Sequence, residues 1–438
     1  MKLENSLRYQ ERAKSRIPGV TQLLSKRPDQ FSLGVWPGYY KKAKGVEIWD
    51  LDDNRYIDMS IGGIGANVLG YADDDVDNAV MEAIKNGSSS SLNCPEEIEL
   101  ADLLCQIHPW ADMARFSRTG GEAMAIAVRI ARAYTGKDVV AFCGYHGWHD
   151  WYLAANLQSK NALGQHLLSG LNPNGVPKGL MGTSVPFQYN KIEELQKIVS
   201  DRKNEIAAIV LEPIRSEKPI PGFLESVRQI ADEIGAVLIV DEISSGLRLN
   251  SGGAHLVLNL EPDISVFSKA LGNGYPISAI IGKGPIMRAS ESTFISSTNW
   301  TERTGSAAAI ACLKKHEKLN VGEHLVLIGD LVQKGWQETA NQHGLKISVN
   351  GISPLSHFQF GYDNALVLKA YFIQLMMERG FLASNLFYAM AAHSKEHVAQ
   401  YIVAINSTFE IIAADNEQGI VPQKLKGRPS NPGFKRLT

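Results

Sequence analysis

Four apolar runs, at 138–143, 206–211, 236–240 and 264–267, punctuate the middle of the chain, with helical or loop stretches between them. Near-continuous runs of this kind, unlike strict alternation, predict strands buried on both faces, as in a parallel sheet covered by helices. The strand–helix alternation extends from 113 to about 300. Ahead of it, 76–85 and 96–107 carry helical periodicity on either side of a serine run at 88–91. Residues 44–58 alternate partly around an Asp-Asp-Asn turn and predict a β-hairpin. The charged first segment predicts a helix reaching Ile17, stopped by Pro18 and Gly19. Beyond 305 a helix from 306 to about 319 opens a mixed strand and helix pattern that ends in a Lys/Gly/Pro-rich tail. No repeat or low-complexity linker interrupts the pattern.

The chemistry sits where apolar runs stop. The run at 236–240 ends in Asp241-Glu-Ile-Ser-Ser-Gly246, and the run at 264–267 leads into Ser268-Lys269 and the glycine-rich Gly272-Asn-Gly274. The run at 206–211 ends in Glu212. In open α/β sheets the ligand crevice lies beyond the carboxyl ends of the strands. A carboxylate and an amine delivered there are what pyridoxal 5'-phosphate (PLP) needs. The lysine forms a Schiff base, and the aspartate keeps the pyridine nitrogen protonated so that the ring accepts electrons.

Upstream, Thr119-Gly120-Gly121-Glu122 precedes apolar positions 123, 126, 127, 130, 131 and 134, one face of a helix that Gly136 would stop. Thr119 and Glu122 have capping-box spacing. Two glycines at the helix start let backbone N–H groups approach an anion where the helix dipole favours it. Alone this is an ordinary capped helix. Followed by the Asp241 and Lys269 strand ends, it reads as a phosphate turn. A loop crowded with aromatics, Tyr145-His-Gly-Trp148-His149-Asp150-Trp151-Tyr152, follows the run at 138–143. Tyr145 or His146 would suit stacking on a planar ring, whereas Trp151 and Tyr152 read as core. His149 and Asp150 lack the third ligand that a metal site needs.

Composition narrows the setting. The chain has 438 residues, 44% apolar and 21% charged, enough for two or three domains or one large and one smaller, with a core needing no staples. The formal net charge of −2 gives no reason to expect nucleic acid or an anionic membrane as partner. The four cysteines, at 94, 105, 143 and 312, form no C-x-x-C pair and read as reduced thiols. The polar N-terminus lacks a signal-peptide core, and no apolar run could span a bilayer. The expectation is a cytoplasmic protein.

These motifs resemble the class III, fold-type I aminotransferases, within them the group similar to glutamate-1-semialdehyde aminomutase, and the resemblance runs from Trp49 to the C-terminal region. It implies an α/β fold, with a large, mostly parallel-sheet PLP-binding domain over 67–304 and a smaller α+β domain built from 1–66 and 305–438. It implies that Lys269 carries the Schiff base, Asp241 binds the pyridine nitrogen, Ile243 packs under the ring and Tyr145 stacks above it. The family's Asn-Ser-Gly-Thr-Glu-Ala turn stands here as Arg118-Thr-Gly-Gly-Glu-Ala123, so Thr119, Gly120 and Gly121 would hold the phosphate. Thr301 would reach the phosphate of a partner subunit, which implies a homodimer with shared sites. The partners implied are a small-molecule amino donor and a carbonyl acceptor.

Two stretches depart from the aminomutases. Pro18-Gly-Val-Thr-Gln-Leu-Leu-Ser25 lacks their arginine and proline, and Asn385 falls where they carry an active-site glutamate. Both weaken the intramolecular reaction and leave the cofactor motifs intact. Intermolecular amino transfer is therefore the first reading and the 2,1-aminomutase the alternative. A cofactor-binding protein without catalysis is disfavoured by the intact Asp241 and Lys269. A nicotinamide oxidoreductase is a remote third, resting on Gly63-Ile-Gly65 without a third glycine. A substrate carboxylate would want a bidentate arginine, for which Arg118, Arg215, Arg248 and Arg303 are candidates that each read first as structural.

Overall fold

The computed structural model describes residues 2–159, 162–164, 172–214 and 216–431. Its contacts divide into two compact units, one of Asp74–Gly322 and one of the chain up to Asp73 together with the chain from Glu323. These boundaries lie later than those drawn from the sequence, after 66 and 304. The helix expected to open the small domain, Arg303–Lys318, lies in the first unit and packs on the helices Asp74–Lys85 and Pro95–Ile107.

In the Asp74–Gly322 unit a seven-stranded sheet comprises β1 (Met113–Ser117), β2 (Val139–Cys143), β3 (Ser184–Pro186), β4 (Ile206–Leu211), β5 (Val237–Asp241), β6 (Ile264–Phe267) and β7 (Ser278–Gly282). The spatial order is β1-β7-β6-β5-β4-β2-β3. Neighbours from β6 to β3 are parallel, and β7 runs antiparallel to both β1 and β6. The four apolar runs became β2, β4, β5 and β6, all fully buried. The two-residue period of a strand sends alternate side chains to opposite faces. Val237 and Ile239 join the core with Ala123, Ile126, Ala127 and Ile130 of α1 (Gly120–Thr135). Leu238 and Val240 join the other, with Phe223, Val227 and Ala231 of α2 (Phe223–Ile234). Each such side chain taken from water contributes about 1.5–3 kcal/mol. The alternation places Asp241, next in the odd row, on the α1 side.

The other unit holds a four-stranded sheet of Tyr40–Lys44, Glu47–Asp50, Arg55–Met59 and Phe381–Ala383. The expected hairpin is its second and third strands, paired Ile48↔Tyr56. Asp50 Oδ1 sets the turn by accepting the Asp52 and Asn54 N–H groups, each at 2.9 Å. The first helix, Glu4–Lys14, stops short of Ile17. Gly63 and Ile64 lie in a short left-handed turn within Gly62–Gly65, and the next helix, Asp74–Lys85, does not open at these glycines, so nothing there resembles a dinucleotide site. No helix among the described residues is long and apolar enough to cross a membrane.

Three buried histidines tie stability to pH. Burial pushes His108, His316 and His393 each down to about 4. Their protons are already committed: His316 Nε2 donates to the Leu247 carbonyl at 3.0 Å, and His393 Nε2 to the Asp58 carbonyl at 2.8 Å. Unfolded, each takes up a proton near 6.5. The unfolded state therefore binds more protons between 6.5 and 4, and stability present above 6.5 is lost as pH falls across that window. The expected result is a denaturation midpoint lower at pH 5 than at pH 7.5, each histidine contributing up to a few kcal/mol. His316→Gln should flatten that dependence, and an unchanged slope would remove His316 from the account.

Candidate active site

Because β2, β4, β5 and β6 are parallel, their carboxyl ends lie along one edge of the sheet, and the residues that follow them meet there. Asp241 closes β5 and is only 2% exposed. Its Oδ2 lies 2.8 Å from His146 Nδ1, and its Oδ1 accepts the Ile243 N–H at 3.0 Å. His146 Nε2 faces the Cys143 carbonyl at 3.0 Å, an oxygen that only accepts, so Nε2 carries a hydrogen. One proton must then lie between Nδ1 and Oδ2, since two lone pairs at that distance would repel. Burial pushes the Asp241 carboxyl up, and the hydrogen bond from His146 pulls against it.

His146, which the sequence offers as a possible stacking ring, has other work in the structure. It is 1% exposed, one face lies near Trp151, and Phe142 and Tyr152 meet it edge-on. Tyr145 is only partly buried and meets Tyr152 at right angles. Its N–H donates to Glu212 Oε2 at 3.1 Å, while the Glu212 N–H donates to the Cys143 carbonyl at 3.3 Å. Glu212, 3% exposed, therefore fixes the Tyr145 loop and adds negative charge that also raises Asp241. Trp151 and Tyr152 belong to the core, as read from the sequence.

Lys269 follows β6 at the start of a single 3₁₀ turn, Lys269–Gly272. Its φ of +44° is the left-handed region, which costs a non-glycine residue on the order of 1–2 kcal/mol. Its Nζ donates to Ser244 Oγ at 2.7 Å. Ser244 was not singled out from the sequence, because nothing in the order of residues brings position 244 to position 269.

At the start of α1, Thr119 is extended and exposed, and Gly120 and Gly121 are partly exposed. Glu122 Oε2 reaches back to accept the Arg118 N–H at 2.9 Å and the Thr119 N–H at 3.4 Å. A Cβ on Gly120 would stand 2.8 Å from Ile243 Cδ1, and one on Gly121 would stand 3.3 Å from His149 Cδ2. The glycines thus let the segment after Asp241 and the aromatic loop close on the helix start. Thr301 is not among these residues: it is exposed, and its Oγ1 donates to the Thr298 carbonyl at 3.1 Å. Of the arginines, Arg303 pairs with Glu96, Arg248 is buried against the Ser244 carbonyl, and Arg118 binds the 299–302 segment. Arg215 lies outside the described residues. Asn385 Nδ2 donates to the Phe358 carbonyl at 3.0 Å, inside the other unit.

Residues 34–370 match the family model described as aminotransferase class-III. A 3-aminobutyryl-CoA aminotransferase of Cloacimonas acidaminovorans is 31% identical over 421 residues, covering 93% of this chain and 97% of the relative. A glutamate-1-semialdehyde 2,1-aminomutase of Francisella philomiragia is 38% identical over 259 residues, 58% of each chain. Among solved structures, the FumI protein of a Sphingopyxis species superposes with a TM-score of 0.86 at 24% identity, covering 98% of this chain and 99% of that one. An omega-transaminase of Sphaerobacter thermophilus gives 0.83 at 23% identity, with 93% and 98% covered. These superpositions establish the fold as that of fold-type I transferases.

Proposed function

The chain belongs to the class-III aminotransferases, PLP-dependent enzymes that move an amino group from a donor to a carbonyl acceptor, and we propose that Lys269 and Asp241 carry that chemistry here. When bound, PLP supplies a cationic ring that stabilises the carbanion left when a substrate carbon loses its proton. The residues at the sheet edge fit such a group. A buried carboxylate, an amine on the neighbouring strand and helix N–H groups beside two glycines match a ring nitrogen, an aldehyde and a phosphate in turn.

Lys269 Nζ would hold the cofactor and, once released from it, act as general base and acid for the substrate proton. Ser244 Oγ orients that nitrogen. Asp241 would face the ring nitrogen, with His146 fixing its carboxylate from behind. Thr119, Gly120 and Gly121 would hold the phosphate, Ile243 would lie under the ring and Tyr145 above it, with Glu212 anchoring Tyr145. Thr301 would serve the site of the partner subunit in a homodimer. The domain of 67–304 would be the cofactor-binding part. We place the enzyme in the cytoplasm, a setting supported by four cysteines that form no disulfide. The single observation that supports the reading is the closeness of Ile243, two residues past Asp241, to Gly120, where an added Cβ would stand 2.8 Å from Ile243 Cδ1.

The test is a half-reaction. The PLP-loaded protein is offered a panel of amines that includes β-amino acids and their CoA thioesters, the panel suggested by the Cloacimonas relative. Stoichiometric conversion of the cofactor to its amine form without acceptor is expected. Failure with every amine would overturn the assignment. The aminomutase alternative, favoured by the Francisella relative over its shorter match, requires turnover of one substrate with no added donor.

A further inference from the structure

Arg118 stands where the family's phosphate turn has asparagine, and its guanidinium is spent on a neighbouring backbone segment. Its Nε donates to the Asn299 carbonyl at 2.8 Å, and its Nη2 donates to the Trp300 carbonyl at 3.1 Å and to the Glu302 carbonyl. The Glu302 carboxylate lies 3.8 Å away and itself caps the next helix by accepting the Thr304 N–H at 2.9 Å. Gly305 leaves the space: a Cβ there would stand 2.9 Å from Arg118 Nη1. At its other end, the Arg118 N–H is held by Glu122, inside the turn that opens α1. One residue therefore ties the phosphate turn to a surface segment distant in sequence.

The clasp has a defined gap. The carbonyls of residues 299, 300 and 302 are engaged, and the position between them is Thr301, exposed on the surface. A planar guanidinium with several fixed donors pins backbone far better than a single ammonium. Pinning the peptides on both sides of Thr301 fixes where its side chain stands on the surface; its hydroxyl, which here donates to the Thr298 carbonyl, would turn its hydrogen outward to reach a phosphate. A residue serving only its own turn would have no need of three acceptors in another segment.

Resting on the shared-site homodimer proposed above, we infer that Arg118 is a positioning residue that presents Thr301 to the cofactor phosphate of the partner subunit. It governs cofactor retention across the dimer, in the opposite site, more than in its own.

Hybrid dimers test this. One chain carries Lys269→Ala, so the visible absorbance of lysine-linked PLP reports only the live site of the other chain. The PLP concentration for half-maximal absorbance is then read by titrating the apo-hybrid. Arg118→Ala placed in the Lys269→Ala chain should raise that concentration on the order of tenfold, the loss of one well-formed hydrogen bond to an anion. The same substitution in the live chain should change it by less than about twofold. Arg118→Lys, tested in the same two positions, should give the same asymmetry with a smaller rise and guards against misfolding of the alanine variant. A rise only for the live chain, an equal rise for both placements, or no rise in either would overturn the inference. Thr301→Ala in the Lys269→Ala chain is the control. If it leaves the titration unchanged, the shared-site reading fails and takes the inference with it. If it raises the concentration while Arg118 variants do not, only the inference falls.

Discussion

Lys269→Ala is expected to lower turnover by on the order of 10⁴-fold or more, with the fold intact. On the proposed assignment, removing the amine would delete the cofactor's anchor and the general base together, and general acid–base catalysis alone contributes about 10²–10⁴-fold. The fold should tolerate the change. Lys269 is partly exposed, and its Nζ donates to a hydroxyl, Ser244 Oγ. Alanine keeps the left-handed backbone of the turn and its strain, so the unfolding midpoint should stay close to that of the parent. The measurement is the single-turnover conversion of added PLP by a good donor amine, with and without a small primary amine in solution. Partial rescue by the small amine would mark the missing proton-transfer group. Full steady-state activity of the variant would remove Lys269 from the mechanism.

The residues that made this site readable share one property: they stand where a fully buried strand ends. The runs that became β4, β5 and β6 are buried on both faces and apolar apart from Ser265, so the polar residues that end them, Glu212, Asp241 and the Ser268-Lys269 pair, mark where the chain must leave the core. That is a local rule, and it works without knowing what the strands pair with. β1, β3 and β7 escaped it for physical reasons. β1 contains Arg115 and is only partly buried, β3 has three residues at the sheet's edge, and β7 follows a glycine-rich turn that masks its start.

Side-chain partnerships across the sheet were not legible. His146 looks like a flat ring in a list of aromatics, yet its two nitrogens are fixed by Cys143 and Asp241, the latter 95 residues on. Ser244 and Arg118 owe their places to distances set by the whole sheet and by the segment at 299–302. Gly121, where the family has threonine, makes sense only once His149 is seen packed over it.

Asp241→Asn is expected to slow the half-reaction by about 10³-fold, the usual loss when a preorganised electrostatic partner is removed from a dry site. Asparagine is nearly the same shape. Its Oδ1 would still accept the Ile243 N–H, and its Nδ2 would donate to His146 Nδ1, whose other nitrogen keeps its hydrogen toward Cys143. The hydrogen-bond count at this buried position is therefore preserved. Removing a charge whose ionisation burial already opposes should leave stability within about 1 kcal/mol, or raise it. What asparagine lacks is the negative charge that would keep a ring nitrogen protonated, and that loss falls wholly on the reaction. The decisive comparison is between two readouts of one variant, the single-turnover rate and the denaturation midpoint. A large rate loss with an unmoved midpoint is the expected pair. A rate within tenfold of the parent would mean that this carboxylate holds the fold together and leaves the chemistry to another group.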